Sequence, residues 1–203
     1  RMAAEAAGTL NGLYLELAGR LIAAFERKIY PRFDRVHVVS EEDAAHLRNS
    51  SPGLGLAVIP IAVDASFSPP DRPAEKPGKS CPRVVFSGNL GIHGIAKGLF
   101  DFLNAAYPDV RAGGPPFEFR VLGPNASAAD ERRLLSYPGL KYARWAENYK
   151  DFLSEADIVL ALDRSGTGIK TRVLEAMALG KPVIGTKTAF GGISAGDGSH
   201  CLV

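Results

Sequence analysis

Between Arg83 and Val203, short apolar runs alternate with amphipathic stretches, and this alternation constrains the fold more than any other feature of the chain. Residues 83–86, 117–122, 140–142, 157–162, 182–185 and 201–203 read as strands. Helices are predicted at 97–106, 130–135 and 148–155, with a fourth ending at Gly180. Strands alternating with helices make βαβ units, and hence a parallel sheet covered on both faces. Six such strands suit the doubly wound order 3-2-1-4-5-6. In that order the first and fourth strands are neighbours at the topological switch point, where ligands bind beyond the carboxyl ends.

The loops leaving those two strands, 88–94 and 163–168, are the most glycine-rich strand-to-helix turns in this part of the chain. Topology and composition therefore select the same crevice. A glycine-rich turn feeding a helix presents backbone N–H groups and a partial positive charge, a combination that holds phosphate. Two facing turns suit a diphosphate. The standard nucleotide motifs do not fit. Gly166-Thr167-Gly168-Ile169-Lys170-Thr171 departs from G-x-G-x-x-G at Thr171 and follows the fourth strand, and Gly180-Lys181 runs into Pro182. This disfavours a dehydrogenase and a P-loop hydrolase. Lys97 could serve the crevice as a point charge for phosphate; on spacing alone it reads as a solvated lysine of a helix face. Ile169, Val173 and Met177 form the buried row of the fourth helix, which leaves Glu175 beside Arg172 as an exposed i,i+3 pair. A carboxylate there could instead accept ribose hydroxyls, as acidic residues do in dinucleotide folds.

Ahead of this region, Leu10, Tyr14, Leu17, Leu21 and Phe25 recur at helical steps, and Pro31 ends that helix. Residues 35–40 and 56–59 read as strands, and Glu41-Glu42-Asp43 opens a helix between them, where the dipole favours acidic groups. From 67 to 82 five prolines and Gly78 mark a linker. Residues 1–66, 67–82 and 83–203 are thus expected as three segments. The whole chain has 203 residues, 46% of them hydrophobic, which suits one sizeable core. Its 24 basic and 22 acidic side chains leave too small a surplus for a nucleic-acid partner. Cys81 and Cys201 stand far apart without a CxxC partner, which suggests neither disulfide nor zinc and fits a reducing, cytoplasmic setting. No apolar run has the roughly 18 residues a membrane helix needs. Opening on Arg1 before Met2 and stopping within a strand pattern, the chain reads as a fragment. Asn125-Ala126-Ser127 matches a glycosylation sequon by chance in such a setting.

Lys170-Thr171-Arg172-Val173-Leu174-Glu175-Ala176-Met177-Ala178-Leu179-Gly180-Lys181-Pro182-Val183-Ile184 closely resembles the signature of retaining glycosyltransferases of family four, which have the GT-B fold. Phe86-Ser87-Gly88-Asn89-Leu90 with Lys97-Gly98 resembles the start of their donor domain. Residues 34–43 with Val58-Ile59-Pro60 resemble the crossover out of their acceptor domain. The resemblance implies a Rossmann-like six-stranded donor domain, truncated at its C-terminus and preceded by a remnant of the acceptor domain. It implies a metal-independent hexosyltransferase in polysaccharide biosynthesis. The substrate would be a UDP- or GDP-sugar, with no cofactor, and the acceptor a saccharide or a lipid-linked one. A lipid-linked acceptor would bring peripheral contact with the inner face of the membrane, and the amphipathic first helix could lie there, although packing against protein is the commoner fate of such a face.

Residue by residue, Glu175 matches the second glutamate of the family's E-x(7)-E pair, which binds the donor ribose. Lys97 matches the lysine that neutralises the diphosphate and stabilises the departing nucleotide. Backbone around Gly88, Gly168, Lys170 and Thr171 would hold phosphate oxygens. The chain departs from the pattern at two places. The first glutamate falls at Thr167, and the usual G-R is Gly88-Asn89, removing an arginine for which Lys170 or His93 could compensate. Arg144 and Trp145 follow the third strand, where the base should lie; Arg144 is a donor-binding candidate, and Trp145 reads as packing. The Thr167 departure leaves open a non-catalytic nucleotide-sugar binding module, and the fold also serves nucleotide-sugar epimerases.

Overall fold

The computed structural model describes residues 10–68 and 81–203, so most of the expected linker lies outside the described residues. The chain divides into two compact units, Arg1–Ile61 with Thr167–Ile169 and Ala62–Gly166 with Lys170–Val203.

In the first unit, helix α1 (Leu10–Ile29) gives way to a single 3-10 turn at Tyr30–Arg32, where Pro31 removes the N–H that would continue the helix. Strands β1 (Val36–Val38) and β2 (Leu56–Val58) are parallel, joined by α2 (Glu41–Ser50). The Ser40 hydroxyl caps α2 by accepting the Asp43 N–H at 3.1 Å, and three acidic residues occupy its first turn, as its dipole favours.

The second unit is built on β3 (Arg83–Ser87), β4 (Glu118–Leu122), β5 (Leu140–Ala143), β6 (Ile158–Ala161) and β7 (Val183–Gly185), all parallel and ordered β5-β4-β3-β6-β7. This is the expected doubly wound order for its first five strands. The expected sixth strand is reduced to one parallel bridge, Ile184 to Leu202. Gly198, at φ 73°, and the hydrogen bond from its N–H to the Cys201 carbonyl turn the preceding segment onto itself, leaving Leu202 to pair with β7. The connecting helices are α3 (His93–Ala105), α4 (Tyr107–Gly113), α5 (Ala128–Ser136), α6 (Tyr149–Ser154) and α7 (Thr171–Ala178). Helix α3 begins a turn earlier than expected, at His93, which puts Lys97 in its second turn. Helix α4 was not expected at all: Pro108 is tolerated because it stands in the first turn, where its missing N–H has no partner to lose.

Successive side chains of β3 point to opposite faces, and both faces are buried. Val85 joins Leu153, Val159, Val173 and Val183 on one side; Phe86 joins Leu99, Phe119, Val121 and Leu134 on the other. Each such side chain contributes about 1.5–3 kcal/mol by leaving water. These two layers fix the strand ends, and so the loops that leave them.

Candidate functional site

The two glycine loops meet. Helix α3 turns Gly94 and Gly98 toward the segment after β6: a Cβ on Gly98 would overlap the Leu162 carbonyl, and one on Gly94 the Ser165 side chain. The Arg164 N–H donates to the Gly94 carbonyl at 3.0 Å, tying one loop to the other. Gly88 is equally constrained, since a Cβ there would run into Ile95. Beyond β6 the chain uses the left-handed region at Gly166 (φ 120°) and Gly168 (φ 71°), conformations that favour glycine, before entering α7 at Thr171.

The helices that follow these loops differ at their first turns from the other two helices that follow a strand of the sheet. Helices α5 and α6 are capped by the side chains of Ser127 and Asn148. Helices α3 and α7 have no side-chain cap; Ile92 and Lys170 stand at the cap positions. The two helix N-termini at the switch point thus keep their dipole ends open, which favours an anion. The Lys170 ammonium folds back over the loop, 3.6 Å from the place a Cβ on Gly166 would take. Thr171 is the exposed first residue of α7.

Glu175, one turn on, is half-buried, not exposed. Burial raises its pKa, with the charge of Arg172 acting against the rise. The expected pairing of Arg172 with Glu175 is not formed. Arg172 instead donates to Asp163, a carboxylate only 1% exposed just past β6, because that buried charge needs a partner more than a half-wet one does. Asp163 Oδ1 and Arg172 Nε have no protein partner. Beside them the Tyr149 hydroxyl, at the start of α6, lies 2.9 Å from the Ser87 hydroxyl at the end of β3. Burial raises the Tyr149 pKa, the Ser87 bond opposes it and the Glu175 charge adds to it. Ser87, Tyr149 and Asp163 escaped the sequence reading, although a serine closing an apolar strand and an aspartate directly after another are signals that could have found them.

The remaining expected residues lie around this centre. Asn89 is engaged in shaping its loop, its Oδ1 accepting from the Gly91 N–H at 3.0 Å and from Asn125 Nδ2 at 3.1 Å. His93 is exposed and shares with Lys97 a cavity of about 560 Å³ that also reaches Asn125 and Arg133. Lys97 Nζ is 3.1 Å from Asp101 Oδ2, which also accepts from Arg164 Nε at 2.8 Å. Burial of the Asp101 carboxyl opposes its charge, but the two cations prevail and hold its pKa below the ordinary value. Arg164, from the loop after β6, is a further cation that spacing did not single out.

Arg144 is exposed and held by Glu131, its Nη2 2.6 Å from Oε2, while the Tyr142 hydroxyl donates to Oε1 of the same carboxylate at 2.9 Å. Arg144 therefore stands at the end of β5, the edge strand, two strands from β3. Trp145 is 72% exposed, which overturns its reading as a packing residue. Strand β5 ends at Ala143 and its successor Arg144 is drawn to Glu131, so no layer covers the next side chain. Among the described residues no group of three or more His, Cys, Asp or Glu could hold a metal ion, and no helix is long and apolar enough to cross a membrane.

A doubly wound parallel sheet with two glycine loops and two uncapped helices at its switch point defines a Rossmann-like α/β domain. Residues 81–203 match the model of the glycosyl transferases group 1 family, and the chain belongs to that family. No curated protein sequence matches it. Among solved structures it is similar to TarM (12% identity, TM-score 0.71, 89% of this chain and 35% of that one). It is also similar to HepE from Anabaena in complex with UDP (14%, 0.70, 89% and 52%) and to the pneumococcal O-GlcNAc transferase GtfA in complex with UDP and GlcNAc (16%, 0.67, 88% and 35%). Likeness at such identities shows the fold, that of GT-B glycosyltransferases. The chain spans between a third and about half of the length of these proteins.

Proposed function

We propose that the chain is the donor-binding part of a retaining, metal-independent hexosyltransferase, with 83–203 as the nucleotide-sugar domain, 67–82 as a linker and 1–66 as the end of the acceptor domain. The observation that carries this reading is the pair of uncapped helix N-termini, α3 and α7, behind glycine loops locked together at Gly94 and Ser165. The complexes of HepE and GtfA with UDP support a uridine nucleotide as the first to test.

The donor diphosphate lies against backbone at Gly88, Gly168, Lys170 and Thr171. Glu175 accepts the ribose hydroxyls. Lys97 leaves Asp101 for the phosphates, and Arg164 keeps that carboxylate paired when it does. The bond from the sugar's anomeric carbon to the phosphate oxygen breaks and its electron pair leaves with the nucleoside diphosphate, while an acceptor hydroxyl oxygen bonds to the same face of the carbon and passes its proton to the departing phosphate oxygen. Lysine charges and open helix ends stabilise the charge as it develops. Acceptor contacts come from outside this chain, so alone it binds donor and transfers little.

Calorimetric titration with UDP, GDP, ADP and their sugar conjugates tests the reading. One nucleotide binds, and Glu175→Ala weakens it by about ten- to a hundredfold, the loss of a charged hydrogen bond worth roughly 1.5–3 kcal/mol. No binding by a folded chain would sink the donor site. Thr167, standing where the family's first glutamate falls, favours a second reading, a binding module without transfer. Full-length protein that binds donor yet neither transfers nor hydrolyses the sugar would decide for that one.

A further inference from the structure

We propose that Asp163 and Arg172 form a clasp that holds the loop between them, residues 164–171, in the shape that receives the donor diphosphate, an inference that rests on the donor-site reading. The two residues stand immediately before and immediately after that loop. Gly168, Lys170 and Thr171, against which the diphosphate is placed, lie inside it.

The loop has much freedom to lose. Residues 164–170 form neither helix nor strand, and Gly166 and Gly168 both have positive φ. Glycine gives up more conformational freedom than any other residue when its backbone is fixed. The clasp removes that freedom in advance. Arg172, the second residue of α7, donates from Nη2 to Asp163 Oδ2 and so joins the two ends of the loop. Asp163 is itself anchored, because its carbonyl accepts the hydroxyl of Thr186, just past β7. The Thr186 N–H in turn donates to the carbonyl of Ala161, the last residue of β6, at 2.9 Å. The first turn of α7 is thereby fastened to the ends of β6 and β7. An anion settling on the loop then has less disorder to overcome.

Stability does not call for a charged pair at this place. The side chains of Asp163 and Arg172 are 1% and 15% exposed, and Asp163 Oδ1 and Arg172 Nε find no protein partner among the described residues. A buried ion pair bonded so incompletely gains little over the cost of drying it, and apolar side chains of similar volume often serve a fold as well or better. What apolar side chains lack is direction. A guanidinium hydrogen-bonded to a carboxylate fixes orientation as well as distance. Nor can the Asp163 carboxylate attract phosphate, since its own charge repels it. Its part is to place Arg172 and, through it, the loop, which makes it a positioning residue.

The test separates binding from folding in the whole chain. Asp163→Leu combined with Arg172→Met removes both charges and keeps much of the volume, so the midpoint of urea unfolding holds or rises. Calorimetric affinity for UDP and for inorganic pyrophosphate nevertheless falls about two- to thirtyfold, the range of a lost helix-end interaction. Hydrogen exchange at the loop amides quickens in the free double variant and slows again when pyrophosphate is bound. Asp163→Asn supplies a test of sign. It takes a negative charge from beside the site, so charge alone predicts tighter pyrophosphate, whereas loss of the clasp predicts weaker. Unchanged affinity in the double variant, or tighter pyrophosphate in Asp163→Asn, overturns the clasp and spares the donor site. A double variant that fails to fold overturns it as well, since the pair would then serve stability. Failure of wild type to bind either UDP or pyrophosphate overturns both readings.

Discussion

The two ends of the same five strands carry charge in opposite ways. At the amino ends, Glu118 accepts from Arg83, Arg120 and Lys141, while Glu155 accepts from Arg83 and Arg120. The hydrogen bond from Lys141 leads these interactions; burial opposes them and Arg120 adds to them, so the Glu118 carboxyl is held at about 2. At the carboxyl ends, Asp163 is almost wholly buried, its partner Arg172 has an unbonded Nε, and burial raises the pKa of both Tyr149 and Glu175. One end has matched its charges to each other. The other keeps charged and polar groups out of water with incomplete partners, the condition under which a ligand supplying hydroxyls and phosphates gains most.

The largest test of that contrast is Arg172→Ala. It strands the Asp163 carboxylate in the interior and lowers unfolding stability by about 3–5 kcal/mol in a urea titration. Next comes Glu118→Gln at the amino ends, which weakens several charge-assisted bonds in a partly wet network and costs about 1–2 kcal/mol at pH 7. Its folded value of about 2 lies below the ordinary 4.5. The wild-type advantage is therefore complete above pH 4.5 and closes as the pH falls toward 2, which unfolding curves at several pH values would reveal. Equal costs for the two variants would erase the distinction between the ends. The smallest effect is Glu175→Gln. Burial raises this carboxyl's pKa, so its charge opposes folding above that value and is no burden below the ordinary one. The amide raises Tm slightly at neutral pH and leaves it unchanged in acid; a lowered Tm at neutral pH would show that the charge is well partnered in the free protein.

Local pattern made much of the sheet legible. The apolar runs at Arg83–Ser87 and Ile158–Ala161 are buried on both faces, and nothing in the chain competes with reading them as central strands. The glycine loops were equally plain, because close approach at Gly98 and left-handed backbone at Gly166 demand that residue. What periodicity could not supply was long-range pairing. Arg172 and Glu175 are neighbours along one helix, yet Arg172 is claimed by Asp163 from another element. Trp145 looked like core because its chemistry is apolar; only the end of β5 and the anchors on Glu131 decide that nothing covers it. Helix α4 was hidden by Pro108 and Gly113, residues that usually break helices and here stand at its two ends.

The tight seam between Gly94, Gly98 and residues 162–165 makes the two glycine loops one mechanical part. Helix α3 cannot slide along the β6 loop without driving backbone into backbone, so the pair moves as a block. On the proposed donor reading, the floor under the ligand is thus a single rigid piece, and fitting to ligands of different size falls to the residues around it.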